Sequence, residues 1–174
     1  MQARNIRLRQ ATAQDAALVA DLGTRAWWAH YPGIITEAQI RYMLARMYTP
    51  AALLEQWTAL SQMCLIAEVA WQPLAFAAWS LQTDGRGTWA YLNKLYAVPE
   101  GLGLGLGKAL LAEVCAEARR RGLSTLRLNV NKYNPTVAWY ERQGFTVLRD
   151  EVLDIGNGYV MDDYVLELRL HIRS

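Results

Sequence analysis

Ile6 and Leu8 alternate with Arg7 and Arg9, the period-two pattern of a half-buried strand. Thr12-Ala-Gln-Asp15 reads as a helix start with Thr12 as N-cap; Leu18, Leu22 and Ala26 follow at helical spacing until Pro32-Gly33 stops the run. Thr36-Glu-Ala-Gln39 has the form of a capping box, opening a helix whose apolar stripe is Ile40, Met43, Leu44 and Met47. Thr49-Pro50 opens a third, shorter helix. From Cys64 the texture changes to strands. Cys64–Val69 and Leu74–Leu81 flank a tight connection at Trp71-Gln72-Pro73, and Asp84-Gly85-Arg86-Gly87 turns the chain into a strand over Thr88–Val98. A glycine-rich loop leads into a helix with Leu110, Leu111, Val114, Cys115 and Ala118 on one face, closed by Arg119, Arg120, Arg121 and Gly122. Leu126, Leu128 and Val130 alternate with Arg127 and Asn129 as another strand. Asn134-Pro135 starts a short helix that Gly144 ends. Val147–Ile155 and Tyr159–Leu170 then form a hairpin around Gly156-Asn157-Gly158. The pattern predicts an α/β fold with a mixed sheet.

At 174 residues, with no repeat or linker, the chain reads as one domain over 1–174. Its 53% hydrophobic and 20% charged residues supply a core and exclude intrinsic disorder. A net charge of +2 lacks the basic excess that phosphate neutralisation needs, so no nucleic-acid partner is expected. The polar start, Met1-Gln2-Ala3-Arg4-Asn5, leads into no long apolar stretch, which predicts no membrane association and a cytoplasmic location. Cys64 and Cys115 lie far apart in apolar runs, and His30 and His171 are the two histidines, so no metal is expected.

Residues 101–107 read Gly-Leu-Gly-Leu-Gly-Leu-Gly between a strand and a helix. Glycine there permits positive φ and close approach of another molecule, while the helix N-terminus points amides outward, a site for an anion. Lys108 adds a charge at the same end. A P-loop would need glycine at 102 and Ser or Thr at 109, where the chain has Leu102 and Ala109. A dinucleotide fingerprint would need glycine at 106 or 108, where it has Leu106 and Lys108.

The segment Leu95-Tyr-Ala-Val-Pro-Glu-Gly-Leu-Gly-Leu-Gly-Leu-Gly-Lys108 resembles the acetyl-CoA signature of the GCN5-related N-acetyltransferases. Asn131-Lys-Tyr-Asn-Pro-Thr-Val-Ala-Trp-Tyr-Glu-Arg-Gln-Gly-Phe145 is similar to that signature's second half. The hairpin Asp154-Ile-Gly-Asn-Gly-Tyr-Val-Met-Asp-Asp-Tyr164 resembles the ending of a bacterial branch related to PaiA-type polyamine acetyltransferases. The resemblance implies a mostly antiparallel sheet flanked by helices, with a C-terminal hairpin and acetyl-CoA as co-substrate. The amides of Leu102, Gly103, Leu104, Gly105, Leu106, Gly107 and Lys108 would hold the pyrophosphate. Leu95, Tyr96, Ala97, Val98 and Asn134 would line the pantetheine arm. Leu102 stands where Gln or Arg is usual, which removes a hydrogen bond worth roughly 0.5–1.5 kcal/mol.

The resemblance also makes Tyr140 the proton donor to the leaving thiolate. No general base stands out: Glu68, His30, Asp162 and Asp163 all remain open. Trp28, His30, Tyr31 and Asp163 are the expected lining of a pocket for a small amine acceptor, since aromatics and carboxylates suit a cation. Polyamine, amino-sugar, amino-acid and peptide acceptors are all admitted, and a homodimer is expected by resemblance. The alternative is a non-catalytic acyl-CoA-binding sensor or regulatory module.

Overall fold

The computed structural model describes residues 5–171. The elements are β1 (Ile6–Gln10), α1 (Ala16–His30), α2 (Glu37–Met47), α3 (Pro50–Thr58), β2 (Met63–Val69), β3 (Gln72–Asp84), β4 (Gly87–Ala97), α4 (Leu106–Arg120), β5 (Thr125–Asn131), α5 (Thr136–Arg142), β6 (Thr146–Gly156) and β7 (Tyr159–Arg169). The strands run in the order β1-β2-β3-β4-β5-β7-β6. Pairing is antiparallel at β1–β2, β2–β3, β5–β7 and β7–β6, and parallel at β4–β5. The parallel pair is the one joined through a helix, α4, as a crossover requires. The expected mixed, mostly antiparallel sheet with flanking helices and a closing hairpin is what forms.

By contacts the chain divides into two compact units. The first comprises the chain up to Ser80 together with Asn93–Val114; the second comprises Leu81–Leu92 and the chain from Cys115 onward. In the first, Val19, Leu22, Trp27, Ile40, Leu53, Ile66, Phe76 and Leu110 are buried. Leu74–Ser80 is buried without alternation, as expected of a strand covered on both faces. In the second, Ala118, Leu126, Leu128, Phe145 and Leu166 are buried.

The helix starts follow the sequence. Thr36 Oγ1 accepts from the Gln39 amide at 3.2 Å and Thr49 Oγ1 from the Ala52 amide at 3.1 Å, caps worth about 1 kcal/mol each. Ahead of α1, Thr12 is the N-cap of a turn of 3-10 helix, and the Asp15 carboxylate accepts from the Thr12 amide at 2.8 Å, as in a capping box. The stripe of α1 is Ala16, Val19, Ala20, Leu22, Gly23, Ala26 and Trp27; Leu18 and, on α2, Met47 are half-buried. The β2–β3 connection differs from expectation. It is made by Ala70 and Trp71, at φ +51° and +68°, while Gln72 and Pro73 belong to β3. The β6–β7 turn is the expected Asn157-Gly158 step, with φ of +55° and +79°.

Candidate active site

In the first unit, β4 delivers the chain into the glycine loop. Val98 is fully buried and its amide donates to the Leu74 carbonyl at 3.0 Å, which anchors the strand end. Pro99–Gly101 forms one turn of 3-10 helix. Gly101 lies so close to β3 that a Cβ would meet the Leu74 oxygen at 2.9 Å. Gly103 and Gly105 have φ of +73° and +81°, and a Cβ on either would meet nothing within 4 Å. The first therefore serves internal packing, and the other two combine a left-handed backbone with open space beside it. The Ala109 amide bonds to the Gly105 carbonyl at 3.0 Å, so the amides of Leu106, Gly107 and Lys108 precede the first intrahelical bond. Leu106, Gly107 and Lys108 thus open α4 rather than extend the loop, with Leu106 buried and Lys108 exposed. Leu104 is half-buried, whereas Leu102 is 65% exposed and offers no polar group. This arrangement suits a diphosphate, held by backbone and helix dipole.

Leu95, Tyr96 and Ala97 are half-buried on β4. The Tyr96 hydroxyl lies 2.9 Å from that of Tyr31, and its ring meets those of Trp27, Tyr31, Tyr48 and Phe76 at centroid distances of 6.0, 6.4, 6.5 and 6.1 Å. The His30 ring is edge-on to Tyr31 at 5.1 Å. Tyr31, His30 and Tyr96 are therefore brought together, while Trp28 lies under the Arg41 guanidinium at 5.0 Å. Burial pushes the Tyr48 hydroxyl well above the usual tyrosine range and keeps it neutral.

Two residues of this unit were not legible as site elements. Gly23, in mid-helix, is required because a Cβ there would come within 2.2 Å of the Tyr48 ring. Lys94 is only 7% exposed; its ammonium donates to Gln56 and Gln62 and lies 5.6 Å from the Tyr48 ring centroid. Burial without a carboxylate pulls it down to about 8. The signal was its position, a lysine amid the apolar residues of the strand before the loop.

In the second unit, Asn134 Oδ1 accepts from the amide and hydroxyl of Thr136 at 2.9 and 2.7 Å, so this buried side chain starts α5. Tyr140, on α5, is buried with its ring edge-on to Trp139 and Phe145 at 5.0 and 5.4 Å. Burial pushes its hydroxyl above the ordinary tyrosine value, so it carries a proton at neutral pH. Asp163 is buried on β7, and desolvation pushes it up to about 6.

The carboxylates open as bases now differ. Glu68 is held by Arg9 at 2.7 Å and Arg7 at 3.4 Å, and Asp162 by Lys132 at 3.0 Å. Asp163 accepts from Asn129, and its Oδ1, like that of Asp162, is buried without a hydrogen-bond partner.

The sequence profile of the acetyltransferase (GNAT) family matches residues 25–145, most of the chain. The protein belongs to the GNAT family. The matched stretch holds the aromatic cluster, the glycine turn, Asn134 and Tyr140 of this GNAT chain. Over 49 residues it is 51% identical to the 5-NmdU N-acetyltransferase of Pseudomonas phage PaMx11, a match spanning 28% of this chain and 33% of that protein. The chain thus spans about a third of that relative's length. In fold it is similar to the PaiA N-acetyltransferase of Thermoplasma acidophilum, crystallised with coenzyme A: TM-score 0.76 at 23% identity, covering 95% of this chain and 99% of that one. A GCN5-related N-acetyltransferase from Rhodopseudomonas palustris superposes with TM-score 0.80 at 19% identity, covering 98% and 99%. Among the described residues, no helix of this GNAT protein is long and apolar enough to cross a membrane.

Proposed function

We propose that residues 1–174 act as one acetyl-CoA-dependent N-acetyltransferase that acetylates a primary amine of a small molecule in a ternary complex. The observation that carries this reading is the glycine turn, where left-handed Gly103 and Gly105 border open space ahead of the unbonded first amides of α4. Bound acetyl-CoA would supply the activated thioester. The Leu102 amide is taken up by the Pro99 carbonyl at 3.2 Å, so the amides from Gly103 to Lys108 hold its pyrophosphate, and the half-buried backbone of Leu95, Tyr96 and Ala97 pairs with its pantetheine arm as an added strand. Asn134 contributes to the same arm beside its capping role. The amine nitrogen would bond to the acetyl carbon as the carbon–sulfur bond breaks, and the proton that the nitrogen loses would pass to water, from which the Tyr140 phenolate regains its own. Tyr140, kept protonated by burial, gives its proton to the departing thiolate. His30, Tyr31 and Trp28 belong to the acceptor side of this reading, with Asp163. The exposed side chains of Val147, Leu148 and Val152 on the edge strand β6 support a homodimer.

Purified protein with acetyl-CoA and a panel of amines, read by mass spectrometry, tests the reading. We expect one amine class to be acetylated, and Tyr140→Phe to lower turnover about 10²–10⁴-fold with acetyl-CoA affinity unchanged. Acetyl-CoA binding with no product across the panel would favour the sensor reading, for which exposed Leu102 speaks. Absence of binding would remove both.

A further inference from the structure

β6 ends the sheet, with β7 on one side of it. Its outer edge offers the backbone N–H and C=O groups of an 11-residue strand as a template for another strand. The β6–β7 ladder has irregularities between Val147 and Arg149 and between Asp154 and Gly156, and the stretch from Arg149 to Asp154 is regular. Alternation then assigns the faces. Arg149, Glu151 and Leu153 line one cavity and so share a face. Asp150 takes the other, where Lys132 bonds to it at 2.8 Å and to Asp162 at 3.0 Å, and Val152 stands opposite Asp162. Leu148, one step before Arg149, falls on this second face.

Charges on an edge strand ordinarily keep other strands away. Here their order decides which strand is kept away. When an antiparallel copy of β6 is laid alongside, a two-fold axis normal to the sheet keeps each face on its own side, so one residue must meet its own copy at the axis. With Asp150 there, Arg149 meets Glu151 twice on one face and Leu148 meets Val152 twice on the other. Centring on Arg149 or on Glu151 sets like charges together and an apolar residue against Asp150. Centring on Val152 sets Glu151 against Leu153 and Asp150 against Asp154. One register alone matches charge with charge and apolar with apolar.

The remaining like-charge contact, Asp150 with its copy, is answered within each chain by Lys132. Arg149 is free to turn outward, because its contact with Glu151 of its own chain is long, 3.4 Å, and its side chain is 53% exposed. Leu148 and Val152, 42% and 63% exposed, are the apolar surface that such pairing covers.

We infer that β6 pairs antiparallel with β6 of a second copy about a two-fold axis at Asp150, joining the two sheets edge to edge. Main-chain hydrogen bonds supply the attraction and the side chains from Leu148 to Val152 fix the register. The inference gives the proposed homodimer its interface and rests on that reading; it does not depend on acetyl transfer.

The test is sedimentation equilibrium of the full chain without acetyl-CoA. We expect a wild-type dimer, weakened at least about tenfold in Arg149→Glu and in Glu151→Arg, since each sets like charges across both contacts. Mixing these two variants should restore the dimer, because the mixed pair again sets opposite charges across both contacts. Damage to the monomer would not be repaired by mixing. In air, Asp150→Cys should give a disulfide-linked dimer on a non-reducing gel and Val152→Cys should not, because Asp150 alone meets its own copy. A wild-type monomer overturns the interface and the homodimer together. A wild-type dimer that neither charge variant weakens keeps the homodimer and overturns the β6 pairing. Loss of the dimer without restoration on mixing, or cross-linking of Val152→Cys in place of Asp150→Cys, overturns the register. Should a charge variant fail to fold, the two cysteine variants decide.

Discussion

Glu68 on β2 and Asp163 on β7 are carboxylates buried to nearly the same degree, 5% and 4% exposed, in opposite electrostatic circumstances. Glu68 accepts from Arg9 at 2.7 Å and Arg7 at 3.4 Å, and Arg9 also makes two 2.9 Å bonds to Asp15. The cluster ties β1 to β2 and to the turn before α1. Among the described residues Asp163 pairs with no cation; it accepts from Asn129, and its Oδ1 has no hydrogen-bond partner. Depth of burial therefore does not separate these two acids; the state of their partners does. A paired acid completes the fold, whereas an unpaired one leaves an interaction for another molecule to make.

The comparison breaks first at Glu68. Glu68→Gln leaves Arg7 without its carboxylate and Arg9 with Asp15 alone, and should lower unfolding free energy by about 2–3 kcal/mol through the weakened charged hydrogen bonds, read by urea denaturation at neutral pH. A loss below about 1 kcal/mol would mean the cluster is surface decoration. Lys94 sharpens the comparison with a buried charge of the other sign. Its folded value of about 8 lies below the ordinary 10.5, so between these the unfolded chain binds more protons. Stability should then rise by about 2 kcal/mol as pH increases from about 8 to about 10.5, with the rise absent in Lys94→Met. Melting temperature against pH for the two proteins checks it. A flat wild-type curve would show that Gln56, Gln62 and the Tyr48 ring solvate the ammonium fully.

Much of the fold was legible because its signals are local. Thr36, Thr49 and the Asn157-Gly158 step each act within three or four residues, and the alternation of Leu126, Leu128 and Val130 is met by burial. The Ala70-Trp71 turn escaped because neither residue advertises positive φ; Trp71, 77% exposed, lies under the Arg7 guanidinium at 4.7 Å. Gly23 escaped because its reason is a ring 25 positions away. Tyr140, Asn134 and the glycine loop were legible through motif and resemblance; the state of Asp163 was not. Counting outward from a two-residue turn sets Val152 across from Asp163. The irregularity between Asp154 and Gly156 shifts the ladder by one residue and sets Glu151 there instead. A bulge is a three-dimensional event that the alternation of β6 does not announce.

The smallest expected effect decides most about Asp163. Its folded value of about 6 lies above the ordinary 3.8, so across that window the folded state binds more protons and stability falls as pH rises from about 4 to about 6. Asp15, held down at about 2 by its hydrogen bonds to Arg9, has the opposite sign and loses its contribution as pH falls from about 4 to about 2. Replacing Asp163 with Asn removes the charge but keeps the shape. It should raise stability at pH 7.5 by about 1 kcal/mol, a melting shift of roughly 2–4 °C. Glu68→Gln moves stability the other way at the same burial. A gain in stability is the signature of an acid kept at the expense of the fold. A loss like that of Glu68→Gln would make Asp163 a structural residue.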